Sequence, residues 1–217
     1  MDWFIEAMIE EGALWMSGHK TMRLRSGRQS PFFFNTGDLS SGRSIGMLAR
    51  GYAQRIIEAG LENFALFGPA YKGISLATAT ALTLYRDHER DIEFAFNRKE
   101  AKTHGEKGSL IGSPLEGKFV VIIDDVITDG ATKHEAFEFV KDRGGIPVAI
   151  VIAFDRMERA SAASAHSALW QLRADLGVPI YSIATVRDLL AYLRSSGAYV
   201  AEQAAIERYL QEYGADE

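Results

Sequence analysis

The sequence predicts an α/β domain: a mostly parallel central sheet of about five strands, flanked by helices, with a small N-terminal hood. Three observations lead there. Short apolar runs, β-branched or aromatic, recur near residues 64, 94, 120, 150 and 180, each too short for a core helix. Helical patterns or loops separate these runs, as in a sheet built from βαβ units. With 217 residues and a hydrophobic fraction of 47%, the chain is most simply one domain over 1–217 with its own core, the hood occupying about 1–40.

Composition narrows the function. There are no cysteines, which excludes disulfides, thiolate metal sites and a cysteine nucleophile. The amino terminus, Met1-Asp2-Trp3-Phe4-Ile5-Glu6, carries acids where a signal peptide carries bases. No apolar run approaches the ~20 residues that span a bilayer. The expectation is a soluble cytoplasmic protein. A net charge of −5 argues against broad nucleic-acid binding, so an anionic ligand must be met by local basic clusters.

Taken in order, residues 2–17 place apolar and acidic residues at helical spacing, and Gly18 closes the pattern, predicting an amphipathic helix. Met22-Arg23-Leu24-Arg25 and Phe32-Phe33-Phe34-Asn35 flank a Ser/Gly/Pro turn and read as a hairpin. Three consecutive phenylalanines present rings to both faces of a strand, one toward the core and one toward a planar ligand. A helix over about 42–59 ends at Gly60. The strand Phe64–Phe67 leads into Gly68-Pro69-Ala70-Tyr71-Lys72-Gly73 and a helix rich in Ala and Thr, a strand–loop–helix unit with a lysine in its loop. Phe94–Phe96 is the next strand.

The segment after it, Asn97 to Ser109, is basic and glycine-rich. Arg98, Lys99, Lys102 and Lys107 outnumber Glu100 and Glu106, with His104 as a further donor. A loop of this composition can admit an anionic ester, close, exclude water and neutralise departing charge.

The stretch Phe119–Lys133 carries the strongest signal. Residues 119–123 read as a buried parallel strand, followed by Asp124 and Asp125, the turn Thr128-Asp129-Gly130-Ala131-Thr132, and a helix with Ala136, Phe137 and Val140 on one face. Open α/β sheets bind ligands beyond the carboxyl ends of their strands. A helix N-terminus suits a phosphate, Gly130 permits close approach, and Thr128 and Thr132 add hydroxyl donors. The two carboxylates suit ribose hydroxyls and a sugar that becomes cationic. The parts describe a cradle for ribose 5-phosphate. No Gly-Lys-Ser/Thr ending is present, which excludes a Walker loop, and the spaced glycines of a dinucleotide fingerprint are absent. Beyond it, Pro147–Phe154 and Val178–Ile183 are strands, Val186 opens a helix, and 199–213 form another. Arg156 follows the first of these strands, where a guanidinium can grip a carboxylate through two parallel hydrogen bonds. Trp170, with Leu169 and Leu172, is read as packing.

Five of these phrases, in this order, resemble the type I phosphoribosyltransferases, from about residue 14 to residue 194. Phe119–Lys133 resembles their motif for phosphoribosyl pyrophosphate (PRPP). The phrase Arg25-Ser-Gly-Arg28-Gln-Ser-Pro31-Phe-Phe-Phe-Asn35 resembles that of the orotate phosphoribosyltransferases in particular. The resemblance implies the type I phosphoribosyltransferase fold and transfer of the phosphoribosyl group of PRPP to N1 of orotate. It assigns PRPP to Arg25, Tyr71, Lys72, Arg98, Lys99, Lys102, His104 and the run Asp124, Asp125, Val126, Ile127, Thr128, Asp129, Gly130, Ala131, Thr132. It assigns orotate to Phe33, Phe34, Thr128 and Arg156, and catalysis to Lys102, Asp124 and Asp125. It implies Mg2+ held mainly by PRPP, with no dedicated protein ligands, and a homodimer whose mobile loop over 98–109 completes the neighbour's site. Orotate is acidic enough at N1 to need no protein base.

The chain departs from the family's pattern twice. Arg25 stands where lysine is usual, and Asp129 where a small uncharged residue is usual, so the Asp129 side chain is expected to face solvent. A purine-base phosphoribosyltransferase and a non-catalytic PRPP-fold sensor are the alternatives. The intact basic loop disfavours the sensor, and the hairpin phrase with Arg156 disfavours a purine.

Overall fold

The computed structural model describes residues 2–99, 109–127, 130–161 and 163–215. Its centre is a sheet of six strands: β5 (Phe64–Gly68), β6 (Phe94–Asn97), β7 (Leu110–Gly112), β8 (Phe119–Val126), β9 (Ile146–Asp155) and β10 (Ile180–Thr185), in the order β10-β9-β8-β5-β6-β7. The five expected strands are all parallel neighbours. The sixth, β7, was not expected. It returns antiparallel along β6, with Phe96 opposite Ile111, and its three residues are too few to show a period.

Successive residues of β8 face opposite ways. Val121 and Ile123 pack with α1 (Asp2–Glu10), α2 (Gly42–Glu58), α3 (Lys72–His88), α6 (Val186–Ser196) and α7 (Val200–Tyr213). Val120 and Ile122 pack under α4 (Ala131–Lys141) and α5 (Ala168–Leu176). All four side chains are fully buried, and truncating any of them to alanine costs about 2–4 kcal/mol. Trp170 is not part of this packing. Leu169 and Leu172 face the core, which leaves Trp170 on the outer side of α5, 42% exposed and stacked on His166 at 3.8 Å.

The N-terminal hood differs from expectation in two ways. The first helix stops at Glu10, not at 17, because Gly12 takes a positive φ of 75°. The residues after it form β1 (Leu14–Met16), which pairs antiparallel with β4 (Phe32–Phe34). The expected hairpin is therefore split. Met22–Arg23 (β2) pairs with Gln29–Ser30 (β3), and Pro31, with no N–H to give a ladder, separates that ribbon from the phenylalanine strand. Phe32 and Phe34 point into the core, and Phe34 stacks on Phe154 at 5.3 Å. The hood thus sits at the carboxyl end of β9. Among the described residues, no helix is long and apolar enough to cross a membrane.

Candidate active site

The chain order and the sheet order diverge at β5 and β8. From β5 the chain moves outward to β6, and from β8 it moves the other way to β9. The crevice beyond the carboxyl ends of β5 and β8 is a topological switch point, where open α/β sheets bind ligands. Two helices begin at this rim, α3 after β5 and α4 after β8. A helix N-terminus suits an anion.

Local sequence explains each approach. At the end of β5, a Cβ on Gly68 would lie 1.9 Å from the carbonyl oxygen of Gly73, so the loop Gly68–Gly73 closes only because both ends lack side chains. This brings Lys72 to the first turn of α3 and leaves Tyr71 exposed, with Lys99 Nζ 5.2 Å from its ring centroid. The Ala70 N–H donates to Asn97 Oδ1 at 2.7 Å, tying this loop to the end of β6. Gly130, at φ 78°, turns the chain from β8 into α4.

The acidic pair lies inside β8, whose ladder runs on to Val126, three residues beyond the expected strand. The two carboxylates are unlike. Asp124 is buried: its Oδ2 accepts from Lys133 Nζ at 2.7 Å, its Oδ1 from the Asp125 N–H at 2.9 Å, and its main-chain carbonyl from Tyr52 Oη at 2.7 Å. Burial, then the charges of Asp125 and Asp124, hold the Tyr52 phenol well above its ordinary pKa, so it stays a neutral donor. Asp125 faces the crevice, where its Oδ2 accepts from Lys72 Nζ at 2.7 Å and its Oδ1 from the Val126 N–H at 2.7 Å. Burial alone would raise the Asp125 carboxyl. The Lys72 hydrogen bond, the charges of Lys133 and Lys72 and the Val126 N–H outweigh it, and the carboxyl lies below its ordinary value.

Of the expected site residues, the crevice gathers Tyr71, Lys72, Asp124, Asp125, Val126 and the start of α4 at Gly130, Ala131 and Thr132. Val126 and Ile127 each pack against one of the two cores. Arg98 lies just past β6, its N–H bonded to the Ser109 carbonyl at 2.7 Å; its Nη1 is buried with no hydrogen-bond partner among the described residues. Arg25 lies on the exposed tip of the β2–β3 ribbon. Lys102, His104, Thr128 and Asp129, including the expected outward turn of Asp129, lie outside the described residues.

At the other end of the crevice, Phe33 is half-buried on the hood, but the Phe34 ring is in the core. Arg156 donates to Glu158 Oε1 at 2.7 Å, to the Phe32 carbonyl at 3.1 Å and to Ser30 Oγ at 2.8 Å. Its guanidinium lies 4.0 Å over the Phe32 ring. It therefore fastens the hood to β9. Glu158 also accepts from Arg28 at 2.9 Å and from Tyr209 at 2.9 Å. Burial, then Glu158, push the Tyr209 phenol up to about 12.

The sequence reading missed Lys133, Asn35 and Thr36. Asn35 Oδ1 accepts from Lys72 Nζ at 3.2 Å, and Thr36 Oγ1 lies 3.5 Å from Asp125 Oδ2. For Lys133 a signal exists: it falls three, four and seven residues before Ala136, Phe137 and Val140, on the buried stripe of α4. A lysine there requires a partner.

A helix-start rim with an acidic strand end, at the switch point of a mostly parallel sheet, is the arrangement of a phosphoribosyltransferase, and the family match bears this out. The profile of the phosphoribosyl transferase domain matches residues 35–170. The chain is 47% identical over 217 residues to an orotate phosphoribosyltransferase of Bordetella pertussis, covering 97% of this chain and 95% of that one. It is 45% identical over 191 residues to that of Cronobacter sakazakii, with 88% of each chain covered. The crystal structure of the Francisella tularensis orotate phosphoribosyltransferase superposes with a TM-score of 0.85 at 31% identity, covering 98% of this chain and 100% of that one. The chain belongs to the orotate phosphoribosyltransferase family of pentosyltransferases.

Proposed function

We propose that the chain joins the 5-phosphoribosyl group of PRPP to N1 of orotate, giving orotidine 5′-monophosphate and pyrophosphate in pyrimidine nucleotide synthesis. One observation carries this reading. Across the switch point, a lysine from the loop after β5 and a carboxylate from the end of β8 meet at 2.7 Å, between the starts of α3 and α4.

Each part of the ester has a counterpart. The N-terminus of α4, with the turn from Thr128 to Thr132, takes the 5′-phosphate. Asp124 and Asp125 accept from ribose hydroxyls and favour positive charge at C1 as its bond to pyrophosphate breaks. The loop Gly68–Gly73 holds the pyrophosphate with Tyr71, Lys72, Arg98 and Lys99, and Lys102 and His104 join from the basic segment. Lys72 is half exposed, so pyrophosphate can take it from Asp125. The Phe33 side chain and the main chain at Phe34 seat the orotate ring, with Thr128 beside it. Arg156 steadies that seat, and a substrate carboxylate that reaches its guanidinium shares it with Glu158. Arg25 meets the ester from the hood ribbon.

Magnesium fits as a companion of PRPP. In this reading the ion would be held mainly by the ester's own oxygens. The ion there would neutralise charge on the departing pyrophosphate. The reading also carries the cytoplasm as the compartment, which cell fractionation checks, and a homodimer in which 98–109 complete the partner's site. Mixing inactive Lys72→Ala with inactive Lys102→Ala should then restore about a quarter of wild-type turnover through hybrid dimers; no restoration removes the shared site.

The deciding assay supplies PRPP and magnesium with orotate, adenine or guanine and follows orotate absorbance and pyrophosphate release. Loss of absorbance with orotate is expected. Turnover of a purine alone, or PRPP binding with no turnover, overturns the reading.

A further inference from the structure

Lys133 is 2% exposed, yet it carries a charge in the third position of α4. Its ammonium reaches back across the phosphate turn to two groups at the end of β8. These are Asp124 Oδ2 at 2.7 Å and the main-chain carbonyl of Val126. The side chain thus closes the turn at its base, joining the first turn of α4 to the strand that bears both carboxylates. A neutral amide has two N–H donors on one atom but no charge, so it could bond both oxygens without balancing the buried carboxylate as the ammonium does. An ionised carboxylate has about four acceptor positions. Lys133 and the Asp125 N–H occupy two of those on Asp124, and its side chain keeps 10% exposure at the crevice.

We infer that Lys133 is a positioning residue for the transfer: it fixes the rotamer of Asp124 and ties the start of α4 to Val126 before the sugar arrives. This rests on the reading of Asp124 as a ribose-binding group. The reaction needs a carboxylate held where positive charge develops, and displacement of such a group by about 1 Å can cost on the order of 100-fold in rate.

The test is a double-mutant cycle on wild type, Lys133→Gln, Asp124→Asn and the two combined. The readouts are kcat, the KM for PRPP and the KM for orotate. Lys133→Gln is expected to lower kcat/KM for PRPP by about 10- to 100-fold and to move the orotate KM by less than about threefold. In the Asp124→Asn background the same substitution should change kcat/KM by less than about twofold, because the group it positions is gone. Losses that multiply, or PRPP kinetics like wild type in Lys133→Gln, overturn the inference. If the lone charge of Asp124 prevents Lys133→Gln from folding, Asp124→Asn and the charge-balanced double variant carry the test, and a further tenfold loss in the double overturns it. Wild-type protein without orotate turnover would instead remove the reading on which the inference rests.

Discussion

Two lysine–aspartate pairs stand side by side at the end of β8, each at 2.7 Å. They share a distance and little else. In Asp124–Lys133 the side chains are 10% and 3% exposed; in Asp125–Lys72 they are 14% and 48% exposed. The first pair is sealed under α4 and cannot be traded for a ligand. The second has one partner in solvent, so an arriving anion can compete for it. Adjacent residues of one strand point to opposite faces, and here that alternation separates a permanent ion pair from an exchangeable one.

The largest effect that could break this contrast is on stability. Lys133→Met leaves Asp124 buried and unpaired, which costs about 3–5 kcal/mol. Adding Asp124→Asn removes the stranded charge and should return most of that loss, as read from urea unfolding midpoints at constant slope. A single variant within about 1 kcal/mol of wild type would show that the inner pair is no more committed than the outer one.

For the outer pair the expectation reverses. Lys72→Ala should change unfolding free energy by less than about 1 kcal/mol, because a half-exposed ion pair contributes little. It should lower kcat by about 100- to 1,000-fold, as loss of a donor to developing negative charge does. Near-normal turnover with a large stability loss would invert the contrast.

The contrast also marks what the sequence could and could not tell. The crevice was legible because strand, acidic pair, glycine turn and helix start fall in one continuous run, and because Gly68 and Gly73 bracket a loop that only glycines close. The partners of the acids were not legible in that way. Lys72 and Asp125 are fifty-three residues apart, and no local period reports a contact between neighbouring strands' loops. Lys133 lies on the buried stripe of α4, but the stripe alone does not name its partner. The hood was misread for a related reason. A helical pattern over 2–17 ignores the positive φ at Gly12, and pairing of Leu14–Met16 with Phe32–Phe34 is a long-range choice decided by core packing on Phe154. The same packing puts Phe34 inside, where a run of three phenylalanines alone left its facing open.

A third variant extends the contrast to the hood. Glu158 ties Arg28, Arg156 and Tyr209 together with a side chain only 11% exposed. Glu158→Gln keeps the shape and removes the charge. The cost is about 1–3 kcal/mol of stability, the range for hydrogen bonds to charged groups. If the hood seats orotate, the orotate KM should rise about threefold to tenfold, near 1 kcal/mol, while the PRPP KM holds. Equal rises in both would mean that the base and phosphate ends are not separate devices.

The smallest effect is the pH dependence of the outer pair. The Asp125 carboxyl is held below its ordinary value, so the folded state binds its proton less readily than the unfolded state. The stabilisation is therefore complete above the unfolded carboxylate pKa of about 4 and disappears as pH falls through the lower folded value. Lys72 supplies part of that shift, together with Lys133 and the Val126 N–H. The stability difference between wild type and Lys72→Ala should accordingly be level from pH 5 to 8, under about 1 kcal/mol because Lys72 is screened by solvent. It should narrow toward zero as the carboxyl protonates in acid. A difference that grows on acidification would mean that Lys72 stabilises the fold through something other than Asp125, and the outer pair would lose its claim to be the exchangeable one.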